Sequence, residues 1–220
     1  YFNLYFKNKA LKKRKTYSQH REDLFIDNYF KHKKNGFYLD IGCYHPIKYS
    51  NTALLFNRGW KGINIDMNQT SIDMFNVLRK GDKNICAAIS NESKEATQYL
   101  DHDFSPVNSL EKKFSDTVSK EISFNSHLER KIHTYKFSQI TEAQNIKDTQ
   151  IDFINIDAEA HDFEVLEGID LNIYKAKLIC IEMLDFENKI NEKKFQHYLT
   201  KYNYNLIKII GPNGIFELKN

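Results

Sequence analysis

The chain has 220 residues, of which 41% are hydrophobic and only 8 are Gly and 3 are Pro. That length suits one domain with a full core, and so little Gly and Pro excludes collagen-like and low-complexity sequences. The formal charge is +3, no apolar run approaches the roughly 18 residues that cross a bilayer, and Cys43, Cys86 and Cys180 make neither a CxxC pair nor a zinc pattern.

Residues 1–16 hold Lys7, Lys9, Lys12, Lys13, Arg14 and Lys15 and no acid, so the remainder is net acidic. The expected organisation is a basic arm, 1–16, ahead of one domain, 17–220. An arm of this kind suits a solvated or dimer-packing leader, with peripheral contact to an anionic membrane surface as the second reading. The acidic body argues against nucleic acid as partner. No cleavable secretory signal is read, and unpaired, apolar cysteines fit a reducing, cytoplasmic setting.

Residues 18–34 predict a helix, with Leu24, Phe25, Tyr29 and Phe30 near helical spacing and Asn35-Gly36 as its stop. Residues 37–41 are a first buried strand ending at Gly42, 51–58 a short helix, 62–65 a second strand ending at Asp66, 70–79 a helix and 84–89 a third strand. Residues 91–145 are polar and contain Ser105-Pro106-Val107-Asn108-Ser109, which suits short strands and a lid loop, with a short helix over 138–145. Then come a strand over 151–156 ending at Asp157, a helix over 161–167, a strand over 178–184, a helix over 191–202, and a hairpin of 205–210 with 214–218 around Gly211-Pro212-Asn213. Alternating strands and helices closed by a hairpin predict an α/β, doubly wound fold. Its sheet is mostly parallel with an antiparallel end, and ligands bind at the carboxyl ends of the strands. Asp40, Asp66, Asp157 and Glu182 all fall at such ends.

Three motifs carry chemistry. In Leu39-Asp40-Ile41-Gly42-Cys43-Tyr44-His45-Pro46, a glycine follows a buried strand, where the backbone can approach a ligand. It is not a GxGxxG, and a plain tight turn explains it equally well. In Gly62-Ile63-Asn64-Ile65-Asp66, an acid ends the second strand, where it can accept hydrogen bonds from ribose hydroxyls. In Asp152-Phe153-Ile154-Asn155-Ile156-Asp157-Ala158-Glu159-Ala160-His161-Asp162, acids flank a histidine right after a strand. This is a combination for proton abstraction, although acids there also suit a helix N-terminus.

These residues resemble the FkbM family of S-adenosylmethionine-dependent methyltransferases. The resemblance rests on Ser18-Gln19 with Glu22-Asp23, Leu39-Asp40-Ile41-Gly42 with Ser50-Asn51-Thr52, Ile65-Asp66, Asn108-Ser109, Ile151 through His161, Leu166-Glu167-Gly168 and Ile181-Glu182. The family's Glu-Gly-His core reads Glu159-Ala160-His161 here, a change expected to alter the loop slightly because Ala resists positive φ.

The resemblance implies a Rossmann-like class I methyltransferase fold: a seven-stranded, mostly parallel sheet with an antiparallel C-terminal hairpin and helices on both faces. It implies O-methylation of a sugar hydroxyl with S-adenosylmethionine as cofactor, in surface polysaccharide biosynthesis. Asp40, Gly42, Cys43 and Tyr44 would line the methionine moiety, with Ser50 and Asn51 near its carboxylate. Asp66 would hold the ribose, Met67 flank the adenine, and Gln19 and Asp157 complete the donor site. His161 is the expected base, oriented by Asp157 or Glu159; Tyr44, His45, Asn108, Ser109, His161 and Glu182 would hold the acceptor. A magnesium-assisted variant through Asp157, Glu182 and Asp185 is weighed and set second to a metal-free site. The rival functions are an NAD-dependent oxidoreductase, which lacks its GxGxxG, a non-catalytic binding module, and a nucleic-acid methyltransferase, which lacks an Asp-Pro-Pro-Tyr-like loop.

Overall fold

The computed structural model describes residues 14–121, 128–146, 149–187 and 189–219. Residues 1–13 of the basic arm, with the expectations attached to them, lie outside the described residues. Where the chain becomes described, Thr16, Tyr17 and Ser18 are gathered by one carboxylate. Asp23 accepts hydrogen bonds from the Thr16 and Ser18 hydroxyls and the Tyr17 amide at 2.6–2.8 Å.

The elements in chain order are α1 (Glu22–Tyr29), β1 (Phe37–Ile41), α2 (Ala53–Asn57), β2 (Lys61–Asp66), α3 (Gln69–Leu78), β3 (Lys83–Cys86), β4 (Ala88–Ile89), β5 (Glu95–Leu100), α4 (Lys112–Glu121), β6 (Leu128–Tyr135), α5 (Phe137–Ala143), β7 (Phe153–Ile156), α6 (Asp162–Glu167), β8 (Leu178–Glu182), α7 (Glu192–Thr200), β9 (Tyr204–Ile210) and β10 (Asn213–Leu218). Seven strands form one sheet in the order β3-β2-β1-β7-β8-β10-β9. The neighbours from β3 to β8 run parallel, and β10 is antiparallel to both β8 and β9. The α/β doubly wound expectation holds.

Side-chain alternation along the central strands explains the two apolar layers. Leu39, Ile41, Ile63, Ile65, Ile154 and Ile156 join one core with Val165, Leu166, Phe195 and Leu199 from α6 and α7. Tyr38, Phe153, Leu178 and Cys180 face the other way and pack on Ile26, Phe30, Leu55 and Trp60 from the N-terminal helices and the loop after α2. Both faces of the sheet are therefore covered.

Four expectations are corrected in detail. The first helix begins at Glu22 rather than near residue 18. Arg21 sits at φ 72°, and this left-handed turn separates the Asp23-bound segment from the helix. The third strand is two strands: β3 stays in the main sheet, and β4 leaves it for a second sheet of order β4-β6-β5. At the break, Ala87 N–H still donates to Asp66 C=O, while Ser90 N–H donates to Tyr135 C=O. The polar middle is more ordered than a lid loop, with β5 and β6 as an antiparallel pair and α4 between them. Asn213 belongs to β10 rather than to the hairpin turn. No described helix is long and apolar enough to cross a membrane.

Candidate active site

A cavity of about 630 Å³ opens at the carboxyl ends of β1, β2, β7 and β8. This is where an open parallel sheet leaves a crevice, because the loops on either side of β1 diverge. Gly42, Asp66, Asp157, Glu159, His161 and Glu182 all line it, so residues far apart in the chain converge as the motifs require.

The glycine has a packing reason beyond ligand approach. Gly42 lies at φ +74°, and a Cβ built on it would stand 1.7 Å from the Asp157 carbonyl oxygen. The β1 and β7 loops can touch here only without a side chain. Gly42 N–H also donates to Ile65 C=O at 2.9 Å, tying the turn to β2.

Asp66 ends β2 with both oxygens engaged. Oδ2 accepts from Tyr44 N–H and Oδ1 from Asn68 N–H, each at 2.8 Å. A carboxylate has further lone pairs for a ligand's hydroxyls. Burial raises its pKa to about 6, against the two backbone donors, which lower it. Beside it, Met67, Ala87, Ala88 and Ile89 give the cavity an apolar wall. Ser71 and Gln98, 0% and 1% exposed, also line the cavity. Ser71 Oγ and Gln98 Oε1 have no hydrogen-bond partner among the described residues. Buried polar atoms of this kind are unusual unless a ligand or water meets them.

Several expected donor contacts lie behind the wall instead. Asp40 points to the Tyr38 face of β1, away from the cavity. Its carboxylate accepts from Thr52 Oγ1 at 2.6 Å and Asn155 Nδ2 at 2.9 Å. Asn51 donates to Asn155 Oδ1. Arg79, 1% exposed, donates to Thr52, Ser50, Tyr38 and the Pro46 carbonyl. Burial raises the Asp40 pKa, and the Arg79 charge opposes this. Asp40, Ser50 and Asn51 thus form a satisfied polar network that supports the loop after β1; Cys43 is buried against Ile72 and Phe75. Asp40, Cys43, Ser50 and Asn51, expected at the donor, are not among the residues lining the cavity, and their side chains support that loop. Tyr44, half-buried, does line the cavity, and Phe104 stacks on it at 4.9 Å between centroids. Gln19 and Met67 line it as expected, and Tyr49 is an addition.

His45 also turns inward. It is 1% exposed and its Nδ1 accepts from the N–H groups of Ile47 and Lys48 at 3.0 and 3.1 Å. It shapes the loop rather than the cavity surface. Asn108 lines the cavity while holding its own loop, accepting from Asp101 N–H and donating to His102 C=O. Ser109 is fully buried and donates to Glu159 C=O at 2.6 Å, fastening the loop after β5 to the one after β7.

His161 sits just before α6. Its Nδ1 is 2.8 Å from Glu111 Oε1 and its Nε2 is 3.0 Å from Ser90 Oγ. A carboxylate at Nδ1 keeps the proton there and leaves the lone pair on Nε2. The orienting acid is therefore Glu111, not Asp157 or Glu159, and the hydrogen bond from His161 lowers the Glu111 pKa. Glu111 precedes α4 in the polar middle, and no motif marks it in the sequence.

The acids after β7 and β8 repel one another. Burial, then the Asp40, Glu22 and Asp66 carboxylates, raise Asp157 to about 7. Glu159, Asp162 and Glu182 are pushed well up by burial and by neighbouring carboxylates. The loop between them is backbone-strained: Glu159 lies at φ 53° and Ala160 at φ 68°. Ala160 thus takes the left-handed conformation that a glycine would hold more easily.

The Methyltransferase FkbM domain matches residues 40–206 of the chain. That span runs from the end of β1 to the start of β9 and contains every acid of the cavity. Comparison with curated proteins and with solved structures gave no match. With a family match over well over half its length and the fold and cavity described above, the chain belongs to the FkbM methyltransferase family.

Proposed function

We infer that this chain is an S-adenosylmethionine-dependent O-methyltransferase acting on a sugar hydroxyl, borne by a free, nucleotide-linked, polysaccharide or glycolipid sugar, within surface polysaccharide biosynthesis. The observation that supports this best is that one cavity is lined by Asp66 on one side of β1 and by Asp157, Glu159, His161 and Glu182 on the other. The first side suits a nucleoside and the second suits a proton acceptor. The cavity volume lies within the range of small-molecule sites. Asp66 would hold the ribose hydroxyls. The apolar wall of Met67, Ala87 and Ile89 would hold the adenine, with Ser71 and Gln98 as polar partners.

When bound, S-adenosylmethionine supplies a methyl group on a positively charged sulfur. Asp157 and Glu159 line the cavity, and a positive charge bound there would favour their ionised forms. Tyr44 and Asn108 hold the acceptor against it, so that the reacting oxygen stands in line with the methyl carbon. His161 Nε2 takes the hydroxyl proton in the place that Ser90 Oγ–H occupies at rest. His161 would hold the proton released from that oxygen as the oxygen takes the methyl carbon and the donor keeps the sulfur–carbon electron pair. Glu111 then stabilises the imidazolium.

Thermal unfolding of the chain with S-adenosylhomocysteine, beside NAD⁺, tests the reading. A ligand at 100 times its dissociation constant adds about 2.7 kcal/mol of stability. Stabilisation by S-adenosylhomocysteine, lost in Asp66→Ala, is the expected result. Stabilisation by NAD⁺ alone, or by neither, overturns it.

A further inference from the structure

We propose that Asp157, Asp162 and Glu182 form a binding site for one hard divalent cation, Mg²⁺ or Mn²⁺, beside the cavity wall to which Asp157 and Glu182 belong. One oxygen from each of the three side chains lies within 4.8 Å of the others. Asp157 directly follows β7, Asp162 is the first residue of α6 and Glu182 ends β8, so all three sit at the ends of regular elements.

The second observation is independent of that convergence. Asp162 is 0% exposed and Glu182 is 8% exposed, and among the described residues Asp162 Oδ2 and Glu182 Oε2 each lack a hydrogen-bond partner. Asp162 Oδ1 is already committed to Ala158 N–H at 2.7 Å, which fixes the carboxylate and leaves Oδ2 bare. Among the described residues, no Lys or Arg forms an ion pair with any of the three acids. A buried carboxylate oxygen that meets neither a donor nor a counter-ion is costly. A divalent cation satisfies all three at once.

An all-oxygen ligand set selects Mg²⁺, Mn²⁺ or Ca²⁺ over zinc or copper. Asp185, a candidate ligand from the sequence, is not part of the cluster. Its Oδ1 accepts from the Glu187 and Lys189 amides in an exposed turn. Binding of the cation stands on these residues alone. Its use, which is to bind the acceptor hydroxyl and ease loss of the proton to His161, rests on the methyl-transfer reading.

The test is a titration of the full chain with Mn²⁺, following free Mn²⁺ by electron paramagnetic resonance, with and without S-adenosylhomocysteine. One saturable Mn²⁺ per chain, displaced by Mg²⁺, is expected. Glu182→Gln keeps the side-chain shape and should weaken binding about ten-fold or more. Asp162→Asn should do the same, and circular dichroism shows whether each variant is folded. Glu164→Gln, at the neighbouring Glu111–His161–Glu164 group, should leave Mn²⁺ affinity unchanged. No saturable binding, equal binding by the folded Glu182→Gln chain, or loss of binding in Glu164→Gln overturns the site. Mn²⁺ binding without S-adenosylhomocysteine binding keeps the cation site and removes the methyltransferase reading; the reverse does the opposite.

Discussion

Replacing His45 with Asn should remove a pH dependence from the stability of this fold. The imidazole is buried beneath the loop after β1, and its Nδ1 must stay unprotonated to accept from Ile47 and Lys48 N–H. Burial, and then the positive charges of Lys48, Arg14 and Arg79, lower its pKa from 6.5 to about 4. A folded pKa below the unfolded one costs nothing above pH 6.5, where both states are neutral. The cost grows as pH falls toward 4, because only the unfolded chain takes up the proton. At pH 5.5 the loss is about 1.4 kcal/mol, and at pH 7.5 it is below about 0.1 kcal/mol. Asp66 works in the opposite sense. Its folded pKa is raised, so its contribution is lost as pH rises from about 4 through about 6. Comparing two proteins that share Asp66 cancels that effect. The amide oxygen of the introduced side chain can accept the same two N–H groups without titrating. Urea unfolding of both chains at pH 7.5 and 5.5 is the assay. The stability of the natural chain relative to His45→Asn should fall by about 1.3 kcal/mol between the two. The same difference at both pH values would mean that His45 is not a buried acceptor.

Two further outcomes are expected. His161→Ala should cut turnover by about 10²–10⁴ while leaving S-adenosylhomocysteine affinity nearly intact, and Glu111→Gln should lower turnover less; near-normal turnover in both, measured with an unmethylated acceptor that the natural chain methylates, removes the pair from proton transfer. Ala160→Gly should raise stability by about 0.5–1 kcal/mol, since relief of a left-handed Ala exceeds the added chain entropy. A lower urea midpoint would show that the 157–161 loop is not strained.

The site was legible in the sequence where chemistry and strand position coincide. Asp66, Asp157 and Glu182 are acids that directly end apolar runs, and a strand end in a parallel sheet faces the crevice whatever the loops do. Gly42 and His161 follow the same logic. Asp40 shows its limit: one residue inside the strand, alternation turns the side chain to the opposite face, and Thr52, Asn155 and, through Thr52, Arg79 satisfy it there. His45 and Ser109 look equally polar on paper, yet one caps its own loop and the other fastens two loops together.

The sequence by itself determined the alternation of strands and helices, the closing hairpin and the position of the acids, because apolar periodicity and chain order are local. Only the tertiary structure decided which partner each polar group has. Glu111 reaches His161 across 50 residues, and Arg79 reaches Thr52 across 27. It also decided that a single apolar run, 84–89, divides between two sheets, because the parallel pairing of β4 with β6 competes for the backbone of its last two residues. Such pairings depend on which surfaces meet when the sheet closes, and no spacing along the chain records them.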